Sequence, residues 1–502
     1  MSKKEKTSPA AESGPAVPVK PDKAIIYPFL ILYLLSMLPM MLIKDAKLGW
    51  IPLASSVLIL TIFILWKNGS IPPAPAMFAA TLLALVPQFY LRCTYKIYIE
   101  LYSKLGTYVG DLWYAWDHYL SKNFPYPREY PAGMQILFTG FFRLKHHGLK
   151  FEGYMILISL LLGLLGAATT YMLFRIKTDK NDKNFSSIWL FWILAPSMLW
   201  CGLLNVDLIT VFIMVLAFYF FIEGDYYLSA GLLALGAAVK VFPIFLFPLF
   251  FFKCPKKIRW KFTGFLILAW VIFNLPSMLK NFNGWLFPYQ WQAQSNYAKT
   301  WEDGSYFWIV NQFLIALQEK LHAMIPQDTF LRNIYNTLIP LPKHIGKISL
   351  LMFGGFYWYF CSKKWHLSME RLCVGIMLLF ILTDRVYSPQ YHLYLLPFLA
   401  IAGYNFVKPS QKVAFTAAFL IAETLNIIQL IFIFKIRTIF WTIPGIPYLD
   451  SHPFPWIFQG LVAVKYLMIG FLFIMNWNIG EKKEKPEEKD NNSTDAVVVA
   501  AS

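Results

Sequence analysis

The sequence predicts an all-α, polytopic membrane protein, and three observations carry that prediction. Of its 502 residues 57% are hydrophobic and only 15% charged, against about 25% charged in ordinary soluble domains. Several separate apolar runs reach the roughly 20 residues that a helix needs to cross a bilayer, among them "IIYPFLILYLLSMLPMMLI" and "GYMILISLLLGLLGAATTYMLF". Lys and Arg gather in short connections between such runs, as in "RIKTDKNDK" (Arg175 to Lys183) and "KCPKKIRWK" (Lys253 to Lys261), the pattern of cytoplasmic loops. A soluble enzyme is thereby excluded. The balance of 45 basic to 28 acidic residues, a net +17, is explained by positive-inside loops, without a nucleic-acid partner.

In chain order, residues 1–23 read as a polar, Pro/Ala-rich cytosolic tail with no signal-peptide core. Spans are expected at Ala24 to Ile43, Ile51 to Trp66 and Pro75 to Tyr90, which with an inside N-terminus put a first long loop, 91–152, outside. The span Gly153 to Phe174 then returns to the basic Arg175 to Lys183 loop, so charge and counting agree on the orientation. Spans at Ser187 to Leu203 and Val206 to Ile222 form a hairpin with the outer tip "LNVDL". The run Tyr226 to Phe252 is too long for one ordinary span and contains Pro243. It is read as two short segments turning near Lys240, where irregular backbone must be buried in protein or reach water.

A span at Phe262 to Leu279 leads to a second outer region, 280–344, whose segment "YFWIVNQFLIALQEKLHAM" reads as an interfacial helix. Spans at Ile345 to Cys361, Leu372 to Thr383, Tyr391 to Val407, Val413 to Phe434 and Trp456 to Met475 complete a transmembrane domain over 24–476. Residues 477–502 form a charged cytosolic tail. The expectation is about 12–14 transmembrane helices, both termini cytoplasmic, with no internal repeat. The five cysteines are scattered and signal neither a disulfide framework nor a zinc site.

Polar residues that are rare in such a chain map to the outer face. Asp111, in "YVGDLWYAWDHYLSKNFPYPREYPAGMQ", follows Gly110 and precedes an aromatic helical stretch. It suits a structural N-cap or a general base at the membrane surface, and Asp117 is the reserve candidate. Arg128, Glu129 and Tyr130 lie among Pro125, Pro127 and Pro131, a stiff linker that would also hold a charged pair over a site. Asn205 and Asp207 occupy the hairpin tip "NVDLITVF". Lys240 sits inside "LGAAVKVFPIFLFPLF", and an ionisable residue in an apolar run is costly enough to read as functional, with a carboxylate or a phosphate as its partner. Arg385, Tyr387, Gln390, Tyr391 and His392 crowd "TDRVYSPQYHLYLLP". Arg385 beside Asp384 suits a surface ion pair or bidentate phosphate binding, and His392 alone suits a packed interface histidine.

Together "GDLWYAW", "YPREYPAG", "NVDLITVFIMVLAFYFF", the Lys240 segment, "NLPSMLKNFNGW" and "SPQYHLYLLPFLA" resemble the polyprenyl-phosphate-dependent glycosyltransferases of superfamily C, within it the family 87 alpha-mannosyltransferase type. Two features depart from the resembled pattern: Ala132 stands where a second proline is usual, and three expected spans precede Asp111. The resemblance implies a membrane enzyme that moves a hexose, mannose favoured, from a polyprenyl-phosphate donor to a lipid or glycan acceptor on the outer face, with inversion. It implies Asp111 as base on the acceptor, Arg385 and Lys240 at the departing phosphate, and Tyr387, Gln390, Tyr391 and His392 lining the donor pocket. Arg128, Glu129 and Tyr130 would order the sugar or the loop, with Asn205 and Asp207 at the substrate. No D-x-D cluster suggests a nucleotide-bound metal, and no cofactor is expected. The competing readings are a transporter or flippase of lipid-linked glycans, which predicts ionisable residues spread through the bilayer depth, and a noncatalytic assembly subunit built on the aromatic loops.

Overall fold

The computed structural model describes residues 46–93, 112, 115–116, 130–182, 184–203, 205–294, 341–363, 367–384, 388–403, 408–441 and 454–478. Every element among them is helical, with no strand. Helices α1 (Ala46–Lys67), α2 (Pro73–Cys93), α3 (Ala132–His146) and α4 (Phe151–Asp179) come first. A turn at Ser186–Ile188 runs into a π-helical stretch, Trp189–Ile193, followed by the short α5 (Pro196–Cys201). Then come α6 (Asp207–Ile222), α7 (Tyr226–Val239), a 3₁₀ turn at Phe242–Leu246, α8 (Phe247–Lys253), α9 (Lys256–Lys280) and α10 (Phe282–Gln294). The remainder is α11 (Leu341–Lys363), α12 (Met369–Thr383), a 3₁₀ turn at Pro389–Tyr391, α13 (His392–Ala402), α14 (Pro409–Trp441) and α15 (Phe454–Asn478).

Among the described residues six stretches, Trp50–Lys67, Pro73–Tyr90, Phe151–Asp179, Lys256–Lys280, Ser410–Gln429 and Gly460–Asn478, are long and apolar enough to cross a bilayer. The protein is therefore an all-α, multi-pass membrane protein. The expected span at 24–43 and the expected interfacial helix at 306–324 lie outside the described residues.

The bundle shows how apolar sequence packs without a hydrophobic force between helices: small residues permit close approach and side-chain hydrogen bonds join neighbours. On α7, Ser229, Ala230, Ala234, Gly236, Ala237 and Ala238 are buried, and the Ser229 hydroxyl donates to the Ala217 carbonyl of α6 over 2.7 Å. The α6–α7 turn is closed by Gly224 at φ +85°, a conformation that costs glycine little, and by Asp225, whose carboxylate accepts the Leu228 N–H. Thr81 of α2 and Thr170 of α4 share a 2.8 Å hydroxyl contact, and the Trp192 indole donates to that same Thr170 oxygen. The Gln88 side-chain carbonyl accepts the Leu203 N–H over 2.9 Å. Lys465 of α15 is buried and donates to the Gln429 side-chain carbonyl of α14.

Two expected elements need correction. Residues 187–203 do not make one continuous helix: the π-helical turn and the extended Ala195 before Pro196 split them, since proline disfavours helical geometry in the residue before it. The segment beginning at Tyr391 gives only the 11-residue α13, which ends where Gly403 turns left-handed at φ +45°. The expected break near Lys240 is present. Helix α7 stops at Val239, Lys240 is extended at φ −155° and ψ 141°, and the chain resumes as the Pro243-containing 3₁₀ turn.

Candidate functional site

The ion pairs among the described residues divide between the two ends of the bundle, while the buried Lys465 sits midway along α15. At one end lie the basic connections, where Lys177 pairs with Asp182, Lys180 with Glu370 and Arg175 with Asp179 at 3.1 Å. There Arg371 and Asn476 also exchange hydrogen bonds through their backbone carbonyls. At the other end, α6 begins and α7 finishes, because the two helices are joined by a tight antiparallel turn. That geometry brings residue 207 to residue 240.

Asp207 is the first residue of α6 and is 0% exposed. The Lys240 ammonium, 17% exposed, lies 2.5 Å from its Oδ1, and the Tyr394 hydroxyl of α13 donates to the same oxygen. Its other oxygen, Oδ2, is buried and has no hydrogen-bond partner among the described residues. Asn205 is thus not solvated but as buried as Asp207, because the start of α6 is roofed by α13 and the turn after α7.

Aromatic rings wall the ion pair. Phe242 stacks on Tyr394 with centroids 4.1 Å apart and planes 12° apart, and meets Tyr391 at 4.7 Å and Phe380 at 4.4 Å. The Lys240 ammonium lies 6.0 Å from the centroid of the Tyr391 ring. Helix α3 begins beside this wall. A Cβ on Gly133 would come within 2.9 Å of Val239 Cγ2 and 3.0 Å of the Ala238 carbonyl, so the start of α3 is in close contact with the last turn of α7. Tyr130, half-buried just ahead of it, accepts the Gln135 side-chain amide on its carbonyl at 2.9 Å. Leu112 is held at the start of α4, its carbonyl accepting the Tyr154 hydroxyl at 3.1 Å, and Tyr154 packs edge-on against Phe141 of α3.

A second polar cluster surrounds His392. Its Nδ1 lies 2.5 Å from Oε1 of Glu423, a 0% exposed carboxylate of α14. Glu423 Oε2 accepts the Ser197 N–H of α5 over 2.8 Å. Asn426, less than one turn further along α14, donates to the Ser197 hydroxyl at 3.0 Å and to the Pro389 carbonyl at 2.8 Å. Gln390 is buried and accepts the Ser388 hydroxyl.

The structure thus joins Asp207, Lys240 and Tyr391 in one neighbourhood and ties His392 and Gln390 into its border. Asp111, Asp117, Arg128, Glu129, Arg385 and Tyr387 lie outside the described residues. Tyr394 and Phe242 lie inside the segments "SPQYHLYLLPFLA" and "LGAAVKVFPIFLFPLF" but carry no signal there that sets them apart, and Glu423, Ser197 and Asn426 lie outside the motifs. Glu423 did carry a signal, as a carboxylate inside the apolar run "FLIAETLNIIQL". Among the described residues no three His, Cys, Asp or Glu side chains converge on a point that would hold a metal ion.

A multi-pass helical bundle with a buried, aromatic-walled ion pair at one end belongs to the class of membrane proteins with an intramembrane polar site. Comparison with known families makes the assignment specific. The model of glycosyltransferase family 87 matches residues 129–381, half of the chain, and the chain belongs to that family. It is a membrane glycosyltransferase. The matched stretch includes Asp207 and Lys240 and ends before the His392 cluster. No curated protein and no solved structure matches the chain.

Proposed function

We propose that the protein transfers a hexose, with mannose favoured, from a polyprenyl-phosphate donor to a hydroxyl of a lipid or glycan acceptor at the outer membrane face, with inversion. The observation that carries this reading is the Lys240–Asp207 pair, 2.5 Å apart at the end of the bundle remote from the basic loops. A lysine held there, partly exposed among aromatic rings, suits an anionic headgroup attached to a lipid. Asp207 holds the ammonium in place when no phosphate is near, and Tyr394 continues to donate to that carboxylate if Lys240 turns to the phosphate. The bare Oδ2 of Asp207 suits a sugar hydroxyl, since a buried acceptor left without a donor costs about 1–3 kcal/mol.

In the reaction the acceptor oxygen bonds to the anomeric carbon as the bond from that carbon to the phosphate oxygen breaks. The bonding pair leaves on the phosphate, and Asp111, assigned from the sequence, takes the acceptor's proton. Positive charge gathers on the sugar, as in glycoside hydrolysis, and negative charge on the leaving phosphate. Lys240 and Arg385 meet the latter electrostatically. Tyr387, Gln390, Tyr391 and His392 line the donor, while Arg128, Glu129 and Tyr130 order the sugar from the loop side.

The test is transfer from radiolabelled polyprenyl-phosphate hexoses, in nanodiscs, to a membrane-lipid or glycan extract. Wild type is expected to move label to a new product, and Asp111→Asn to lower the rate by about 10²–10⁴-fold, the usual worth of a general base. A folded wild-type protein that moves no label from any lipid-phosphate donor rejects the donor class. Asp111→Asn at the wild-type rate rejects the base.

A further inference from the structure

The pairing of His392 with Glu423 assigns a task to a residue outside both the matched family region and the sequence motifs. We propose that Glu423 is a positioning residue for His392, holding its imidazole in the Nδ1–H tautomer so that Nε2 is the nitrogen that can accept a hydrogen bond from substrate. The inference rests on the reading of His392 as a substrate-lining side chain.

Three observations carry it. First, the contact is close and buried on both sides: Nδ1 to Oε1 is 2.5 Å, with Glu423 fully and His392 almost fully withdrawn from solvent. A neutral imidazole facing a carboxylate must place its hydrogen on the facing nitrogen, because a carboxylate only accepts. Second, Glu423 is itself fixed. The Ser197 N–H binds its other oxygen at 2.8 Å, so the carboxylate cannot rotate away without leaving a backbone donor of α5 unmade. Third, the mount is tied to the segment that carries the histidine, since Asn426 on the same helix holds the Pro389 carbonyl at 2.8 Å and the Ser197 hydroxyl at 3.0 Å. Helix α14 thereby grips the Ser388-to-His392 segment at two places. The arrangement has the logic of the carboxylate that orients the histidine of a serine-protease triad, acting through the histidine and not on the substrate.

Glu423→Gln is an informative change because it preserves size and both hydrogen bonds. The new side-chain carbonyl accepts the Ser197 N–H, and the new amide donates to Nδ1, which must then be the acceptor. The tautomer is inverted while the packing is kept.

The experiment measures kcat and KM for the lipid-phosphate donor on full-length protein in nanodiscs, for wild type, Glu423→Gln, His392→Asn and the double variant. Glu423→Gln is expected to lower kcat by about 10²-fold, within the usual range for acid–base and orienting groups, with KM changed less than about threefold. The double variant is expected to be no slower than His392→Asn alone, since a residue that acts through another has no separate effect once that other is gone. Glu423→Asp, which keeps the charge but draws it back by one methylene, should recover at least about tenfold of the loss, and it carries the same cycle if the Gln variant does not fold. A slow His392→Asn beside a Glu423→Gln with wild-type kcat overturns the proposal alone. So do effects that multiply in the double variant, which mark a structural tie. His392→Asn at the wild-type rate overturns the reading of His392, and the proposal with it.

Discussion

At the scale of single residues, the Lys240–Asp207 pair is where sequence and structure speak most directly to each other. A lone ammonium in an apolar run is expensive unless paired, so the need of Lys240 for a partner is legible in the sequence. The partner itself is not, because Asp207 stands 33 residues earlier and only the α6–α7 turn brings the two together. Tyr394 was harder still: one tyrosine among 28 reads as an interface aromatic until its hydroxyl is seen on Asp207. Glu423 carries the same signal as Lys240, an ionisable side chain within the apolar run "FLIAETLNIIQL", but sits in no loop motif. The pair makes a quantitative prediction. Asp207→Ala leaves the Lys240 ammonium without its carboxylate and should cost about 3–5 kcal/mol, the usual penalty for breaking a buried pair. Lys240→Met should cost less, because Tyr394 still donates to Asp207. The double change Asp207→Asn with Lys240→Met should recover most of the stability but none of the transfer activity. Thermal unfolding in one detergent checks all three, and a double variant less stable than Asp207→Ala would refute the account.

Among the elements, helix α7 and the turn after it set the site's geometry. Pro243 packs over the last turn of α7 because Gly236 leaves room; a Cβ there would lie 2.8 Å from Pro243 Cγ. The start of α3 is seated on the same turn through Gly133, against a backbone carbonyl that cannot rotate aside. Gly133→Val should therefore push α3 off α7, destabilise by about 1–3 kcal/mol as overpacking does, and lower transfer at least about tenfold by disturbing Lys240. Gly140→Ala on the same helix is the control. Nothing lies within 4 Å of the added carbon, and the helix gains up to about 1 kcal/mol of propensity, so activity should be untouched and the melting temperature equal or higher. Equal effects from the two changes would show that α3 is not seated in this way. Hydropathy made the long helices and the interruption at Lys240 legible, since a run of that length with an internal proline cannot be one span. It did not make the π-helical turn at Trp189–Ile193 legible, because an uninterrupted apolar stretch shows no periodicity that tells one helical pitch from another.

For the whole molecule, the question with most consequence is which end of the bundle faces the cytosol. The basic end carries Arg175, Lys177, Lys180 and Arg259, close to helix termini where the positive-inside rule acts, and this predicts that the Lys240–Asp207 end faces out. The donor class depends on that. A site facing out has no access to cytosolic nucleotide sugars, whereas a lipid-phosphate sugar can be presented there by flipping. The orientation can be measured with an impermeant maleimide on intact cells, using single cysteines at Lys257, exposed at the basic start of α9, and at Asn283, exposed on α10 beyond its far end. The native Cys201, Cys254 and Cys373 are buried, and burial pushes the Cys254 thiol above its usual range despite the nearby Arg259, so these three should stay silent. The variants are nonetheless best made in a cysteine-free background. Asn283→Cys should label in intact cells, and Lys257→Cys only after the membrane is permeabilised. The opposite result would turn the site toward the cytosol and make a nucleotide sugar the natural donor. It would leave family membership intact while removing the reason for a flipped carrier, so the orientation measurement decides the donor class independently of the transfer assay.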